Sequence, residues 1–472
     1  MRFSDEMINK IVRDVIARLP QDAGVSLNTG QFTNTTELKG IFPDMEKAIT
    51  AAKHSQQTIK LLSMSKREAI ISKIRDLTRE NAEILARLAV EETGMGNIPH
   101  KILKNRLVAD KTPGTEDINT KAWSGDNGLT LVEMGPFGVI GAITPSTNPS
   151  ETIICNTIGM LAGGNSVVFN PHPAAIKTSH FTVDMINRAS IEAGGSDNIA
   201  CTVASATIES GKIMMKHKDI ALLVATGGPG LVSAVLQSGK RGIGAGAGNP
   251  PVVVDETADL QKAAKDIING CTFDNNLPCI AEKSIVVIDT IAERLMQYLV
   301  NEQNCYHASQ AELVALEKLI FTPKGLNRDC VGRSAVKLLE MIGTQPSKEV
   351  RCIVFEGEKE HPFIDEELMM PILGVVRAKD FEDAVKKAVW LEHDYRHSAH
   401  IHSKNVDRIT YYARAIDTAI LVKNAPSYAA LGFGGEGYCT FAIASRTGEG
   451  MTSAATFTKK RRCVMSESLC IR

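Results

Sequence analysis

From Phe137 onward, short apolar runs alternate with stretches of helical periodicity, and this alternation narrows the possible folds more than any other feature of the chain. Strand-like runs fall at 137–143, 166–169, 199–203, 220–225, 251–254, 284–288, 352–355 and 419–422. With helical patterns between them, the chain predicts an α/β architecture of parallel sheets covered on both faces. At 472 residues it exceeds the size at which one core usually splits, so two or three domains are expected. Before the alternation begins, residues 42–94 are helical in period, most clearly over 66–90, and Thr112-Pro113-Gly114 marks a turn out of that region.

Lys and Arg number 53 against 54 Asp and Glu, a net charge of −1 that offers no global field for nucleic acid or an anionic membrane. Ten cysteines, none in a CxxC pair, lack the spacing of a disulfide framework or a zinc ribbon and suit a reducing cytoplasm. Apolar runs stay well short of the roughly 20 residues of a membrane span, and the N-terminus has no signal-peptide core. A soluble cytoplasmic enzyme with neither nucleic-acid nor membrane partners is expected.

Residues 1–19 carry Ile8, Ile11, Val12, Val15, Ile16 and Leu19 on one helical face, with Ser4 as N-cap and Pro20 as stop. An amphipathic helix over 5–19 follows, and the Asn/Thr/Gly/Gln-rich stretch over 20–40 is a flexible linker. Such a tethered helix either docks on a partner or packs on its own domain.

Cys279, in FDNNLPCIAEK at 273–283, is set in a polar turn between a helical stretch and a Val/Ile-rich strand. A thiolate is a strong nucleophile, and a thiol in such a turn suits aldehyde or acyl chemistry; the alternative is a small buried hydrophobe. Thr226-Gly227-Gly228-Pro229-Gly230 follows the strand IALLVA and opens a helix, an order whose backbone amides can hold a phosphate or can simply make a tight crossover. Asn148, in TPSTNP at 144–149, either presents its amide to an oxyanion or caps the next helix. His397, His400 and His402 form an HxxHxH pattern with His393 four positions before it, but no cysteine or carboxylate at ligand spacing accompanies them, so no metal is expected. His397 is retained as a group that can orient a substrate or move a proton near pH 7.

TPSTNP, LAGGNSVVF at 161–169, TGGPG, GAGAGNPPVVVDETADL at 244–260, FDNNLPCIAEK, ELMMP at 367–371 and TGEGMTSA at 447–454 together resemble the aldehyde dehydrogenase superfamily. NPPVVVDETAD and NLPCIAEK are similar to its CoA-acylating branch from bacterial microcompartments. The resemblance implies two Rossmann-like parallel-sheet domains and a β oligomerisation arm. By this likeness an NAD/CoA-binding domain spans 41–247, with an oligomerising hairpin near 121–136. A catalytic domain spans 248–439, a C-terminal arm 440–472, and the assembly is a homodimer or homotetramer. Residues 5–19 would be an encapsulation peptide docking on a microcompartment shell protein, which places the enzyme in the compartment lumen.

Carried over by position, Cys279 matches the nucleophile and Asn148 the side-chain half of the oxyanion hole. Glu367 matches the acid that holds the nicotinamide ribose. Thr226, Gly227, Gly228 and Gly230 match the pyrophosphate turn, and Ile143, Thr144 and Pro145 the nicotinamide side. Two departures matter. Hydrolytic members place a glutamate base about 34 positions before the cysteine, and here that position is Ala245. Where they hold the adenosine ribose with lysine and glutamate, this chain has Asn170-Pro171-His172-Pro173. The resemblance therefore implies NAD-dependent oxidation of a short aldehyde, propionaldehyde ahead of acetaldehyde, through a Cys279 thioester that CoA resolves. A CoA-independent dehydrogenase, an inactive scaffold and a histidine-based metal hydrolase are the alternatives.

Overall fold

A computed structural model describes residues 38–323, 325–346 and 349–471. The helix expected over 5–19 and nearly all of the linker after it lie outside those residues. Two fully parallel sheets organise the rest. The first has six strands, in the spatial order Ile41–Phe42, Ala200–Val203, Ser166–Pro171, Val139–Thr144, Ile220–Thr226, Gly242–Ala245. The second has seven, in the order Cys305–His307, Cys352–Glu356, Ile372–Ala378, Ser284–Ile288, Pro251–Val254, Ser398–His402, Ile420–Lys423. Their central strands are buried on both faces, which is why they read as unbroken apolar runs rather than alternating ones.

In the first sheet, strand order reverses between Val139–Thr144 and its parallel neighbour Ile220–Thr226. The helices that follow these two strands diverge there, opening a crevice at their carboxyl ends, the usual ligand position in open α/β sheets. In the second sheet, Ser284–Ile288, Pro251–Val254 and Ser398–His402 lie side by side and parallel. Cys279, Gly248 and His397 therefore precede three neighbouring strands at the same amino-end edge.

Several boundaries differ from expectation. The helical stretch over 66–90 is two helices, Met64–Glu80 and Ala82–Thr93, broken at Asn81, with left-handed Gly94 as the second C-cap. The expected strand at Phe137 begins at Val139, because the amides of Phe137 and Gly138 both donate to Asn165 Oδ1, at 2.7 and 3.0 Å, instead of to the sheet. Gly242–Ala245, Cys305–His307 and Ile372–Ala378 are strands beyond the expected set. The first carries glycine because its helix neighbour packs so closely: a Cβ on Gly244 would lie 2.5 Å from Val232 Cγ1.

Within the C-terminal stretch, Thr458–Ser466 pairs antiparallel with Gly128–Pro136, which in turn forms a hairpin with Lys121–Gly125. Before it, Ile443–Ala444 pairs with Gly450–Met451, and Thr447 Oγ1 accepts a bond of 3.2 Å from the Gly244 amide, tying this stretch to the first sheet. No described helix is long and apolar enough to cross a membrane.

Candidate active site

Between the carboxyl ends of the first sheet and the amino ends of the second lies a cavity of about 770 Å³. Ile143, Thr144, Pro145 and Asn148 line one wall, with His172 beside them. Thr226, Gly227 and Gly228 line another, and Cys279 and Glu367 the side toward the second sheet. Gly230 and His397 stand outside this lining.

Cys279 follows a turn in which Asp274, Asn275 and Asn276 have φ of 51°, 55° and 67°, three successive non-glycine residues in the left-handed region. Each side chain holds the turn in place. The Asp274 carboxylate accepts from the Asn97 amide at 2.7 Å and from Lys101 Nζ at 3.1 Å. Asn275 Nδ2 donates to the carbonyls of Gly96 and Gly332, at 3.1 and 2.8 Å. Asn276 Nδ2 donates to Cys271 O and Glu282 O, at 2.8 and 3.0 Å, while its Oδ1 accepts from Lys283 Nζ at 2.5 Å. The DNN run is thus the anchor that aims Cys279 at the cavity.

The Cys279 side is only partly covered, facing the cavity, but its surroundings exclude enough water to push the thiol pKa up to about 12. Desolvation dominates and the Glu367 charge adds to it, while nearby Lys283 opposes both. The resting thiol is neutral. Burial likewise raises Glu367, and the Lys283 charge and a bond from the Gly248 amide pull it back.

Asn148 occupies the N-cap position of helix Pro149–Ala162 without capping it. Its Oδ1 instead accepts from Lys104 Nζ at 2.6 Å, and its Nδ2 donates to Thr147 Oγ1 at 3.2 Å. The same ammonium pairs with Asp274 at 2.6 Å and Glu151 at 2.9 Å, all of them buried. Lys101, Lys104, Glu151 and Asp274 form a charge-balanced cluster linking the Asn148 wall to the Cys279 turn. Sequence reasoning missed it, since two lysines at i and i+3 in a helix ordinarily mark a solvated face.

At Thr226–Gly230 the strand feeds directly into helix Pro229–Leu236. A Cβ on Gly228 or Gly230 would meet nothing within 4 Å, so the space above the turn is open, and the buried Thr226 and Thr144 hydroxyls have no bonding partner. An open helix N-terminus with unsatisfied donors fits a pyrophosphate. His172 accepts from the Ala174 amide at 3.1 Å, and burial and the Arg328 charge lower its pKa. Lys212 and Arg328 also line the cavity, where Glu367 is the one carboxylate among the described lining residues.

His397 differs from expectation. It is fully buried, and burial, then the Lys283 and His400 charges, push its pKa down to about 4, so it is a neutral imidazole at pH 7 rather than a group titrating there. Nδ1 bonds Ser398 Oγ at 2.9 Å, and Nε2 is buried without a partner. Gly248 packs against both its ring and the Cys279 carbonyl oxygen. His400 Nε2 turns away to Ile280 O, at 3.0 Å. Among the described residues, no group of three or more His, Cys, Asp and Glu side chains is arranged to hold a metal ion.

The aldehyde dehydrogenase family model matches residues 37–312 and 341–458. A CoA-propanoylating propanal dehydrogenase of Citrobacter freundii is 46% identical over 437 residues, 92% of this chain and 94% of its own. An acetylating acetaldehyde dehydrogenase of Salmonella typhimurium is 43% identical over 472 residues, 99% of each chain. Among solved structures, a propionaldehyde dehydrogenase from the Clostridium phytofermentans fucose utilisation microcompartment is 74% identical, with a TM-score of 0.91 over 92% of this chain and 100% of that one. That protein has also been solved as His→Ala and Cys→Ala variants, at positions 118 residues apart, the separation of Cys279 and His397 here. A Rhodopseudomonas palustris propionaldehyde dehydrogenase, 53% identical with a TM-score of 0.89 over 92% of this chain and 99% of that one, holds CoA and an acylated cysteine.

Proposed function

The chain belongs to the aldehyde dehydrogenase family, and from that premise we propose that Cys279 is the thiol on which it oxidises a short-chain aldehyde to its acyl-CoA. The enzyme is a CoA-acylating aldehyde dehydrogenase, as are proteins it is similar to, and NAD+ is its oxidant. The observation that carries the reading is the absence of a water-activating acid: Gly246 and Ala247 line the cavity without a carboxylate, and Ala245, 34 positions before Cys279, is an alanine.

Cys279 loses its proton to solvent water at the cavity and its sulfur adds to the aldehyde carbonyl, whose π electrons move to the oxygen. Asn148 Nδ2 and the backbone amide of Cys279 hold the resulting oxyanion. NAD+ supplies the hydride acceptor. Collapse of the oxyanion leaves an acyl thioester on Cys279. With no base to activate water, the thioester persists until the CoA thiol displaces Cys279. The CoA thiol's proton passes to the departing Cys279 sulfur, and neutral His397, buried behind Gly248, orients the reacting groups; its separation from Cys279 supports the assignment.

The turn Thr226–Gly230 holds the pyrophosphate, with Ile143, Thr144 and Pro145 beside the nicotinamide and Glu367 on its ribose. His172 lies at the adenosine end, in a cleft that the nicotinamide cofactor and CoA use in turn. Propionaldehyde is the preferred substrate over acetaldehyde, a difference of one methylene worth about 1–3 kcal/mol. Residues 41–247 form the cofactor domain and 248–439 the catalytic domain. The three-stranded arm joins copies of the chain into a dimer or tetramer. Residues 5–19 dock the enzyme on a shell protein inside a microcompartment; deleting 1–19 would leave activity intact and release the enzyme from purified compartments.

The test is NADH formation from propionaldehyde with and without CoA, in the natural enzyme and in Ala245→Glu. Turnover should depend on CoA, and the variant should release free acid without it. Sustained CoA-independent acid release by the natural enzyme would refute the missing-base account.

A further inference from the structure

We propose that Lys104 is a positioning residue for the reaction, fixing which end of the Asn148 amide faces the cavity and strengthening its N–H as a donor; this rests on the assignment of Asn148 as the oxyanion donor. An asparagine amide is nearly symmetric in shape, so packing alone does not distinguish a useful donor from a repulsive carbonyl. Lys104 does. An ammonium has three donors and no acceptor, so only the amide oxygen can sit 2.6 Å from Nζ. The nitrogen is thereby turned the other way. One of its hydrogens reaches Thr147 Oγ1, at 3.2 Å, leaving the other for the cavity that Asn148 lines.

The arrangement is costly to build, which argues for a role beyond packing. Lys104 is fully buried on a helix, Ile98–Lys111, that also buries Lys101. Its charge is met by Glu151 and Asp274, and Phe441, a cavity-lining ring, lies 5.6 Å from Nζ. A buried ion cluster of this kind seldom stabilises a fold more than apolar side chains of the same volume would. A full positive charge behind the carbonyl oxygen polarises the amide and favours negative charge on its far side, where the thiohemiacetal oxyanion develops. Asp274, the partner of Lys104, keeps its bonds to the Asn97 amide and Lys101 without it, so the Cys279 turn does not depend on Lys104.

The experiment is a double-mutant cycle on the full-length enzyme. Lys104→Met alone strands buried acids, so Lys104→Met/Glu151→Gln is made beside it to keep the cluster neutral. With propionaldehyde, NAD+ and CoA, both variants should lose about 10–100-fold in kcat with KM for NAD+ within about threefold, since removing one oxyanion donor costs about 100–1000-fold. The charge-balanced variant should regain thermal stability without regaining kcat. In an Asn148→Ala background, Lys104→Met should cost less than about twofold more, because its route of action is gone. Losses that multiply in that background, or wild-type kcat in the charge-balanced variant, would overturn the proposal. Full activity in Asn148→Ala alone would instead overturn the assignment of the oxyanion donor on which it rests.

Discussion

Gly248 and His397 touch so closely that no side chain fits between them: a Cβ on Gly248 would lie 2.9 Å from the ring Cγ and 3.0 Å from Nδ1. The same Cβ would lie 2.9 Å from the Cys279 carbonyl oxygen, so one methyl group would press on both sides of the site. Neither neighbour is a flexible side-chain end. Gly248→Ala is expected to shift the imidazole or the nucleophile turn and to lower CoA-dependent kcat about 10–100-fold, as displacements of about 1 Å do. Steady-state NADH formation checks this, and a wild-type rate would show that the contact is slack.

Cys279 should be a poor nucleophile in the free enzyme. With its pKa pushed up to about 12, the thiolate fraction rises tenfold for each pH unit through the accessible range. The rate of alkylation by iodoacetamide, read as loss of activity, should climb without a plateau from pH 7 to 9. A plateau in that window would mean that the free enzyme already stabilises the thiolate.

Three buried histidines and a half-buried fourth make stability sensitive to acid. His100, His397 and His400 are held near about 4 and His402 near about 3, by burial first in each case. Unfolded, each takes up a proton below pH 6.5, whereas the folded protein refuses it until near pH 4. Stability is therefore lost as pH falls through that interval, by about 1.4 kcal/mol per pH unit for each histidine. The melting temperature should drop steeply between pH 6.5 and 4, and less so in His400→Gln. A flat profile down to pH 4.5 would contradict the burial.

The phosphate turn can be tested without disturbing the fold. Gly228 has ordinary extended backbone, φ −63° and ψ 165°, and open space where a Cβ would stand. Gly228→Asp should leave the melting temperature within about 2 °C while raising KM for NAD+ and CoA about tenfold or more, through repulsion of phosphate at a helix N-terminus. An unchanged KM for both would remove this turn from the cofactor site.

Much of the fold was legible because parallel strands buried on both faces are written as apolar runs, as in 220–225 and 284–288. Gly242–Ala245 was not, since its glycines answer to a helix packed against them, a fact of tertiary structure. Cys279 and the DNN run before it were legible for a local reason: Asp and Asn tolerate the left-handed backbone that this turn uses. The Lys104 network was not, because Asp274 lies 170 positions away and lysines spaced i and i+3 in a helix ordinarily mark solvent. His397 was picked out by its residue type alone. Its burial, which fixes it as neutral, depends on Gly248 and on strands that meet only in the folded chain.

The central claim is that the acyl group rests on Cys279 until CoA arrives. Mixing the enzyme with propionaldehyde and NAD+ in the absence of CoA should give a burst of about one NADH per active site. Mass spectrometry should then find one propionyl group on the peptide containing Cys279, and added CoA should remove it as propionyl-CoA. Continuous NADH production without CoA, or a burst that leaves Cys279 unmodified, would contradict the account.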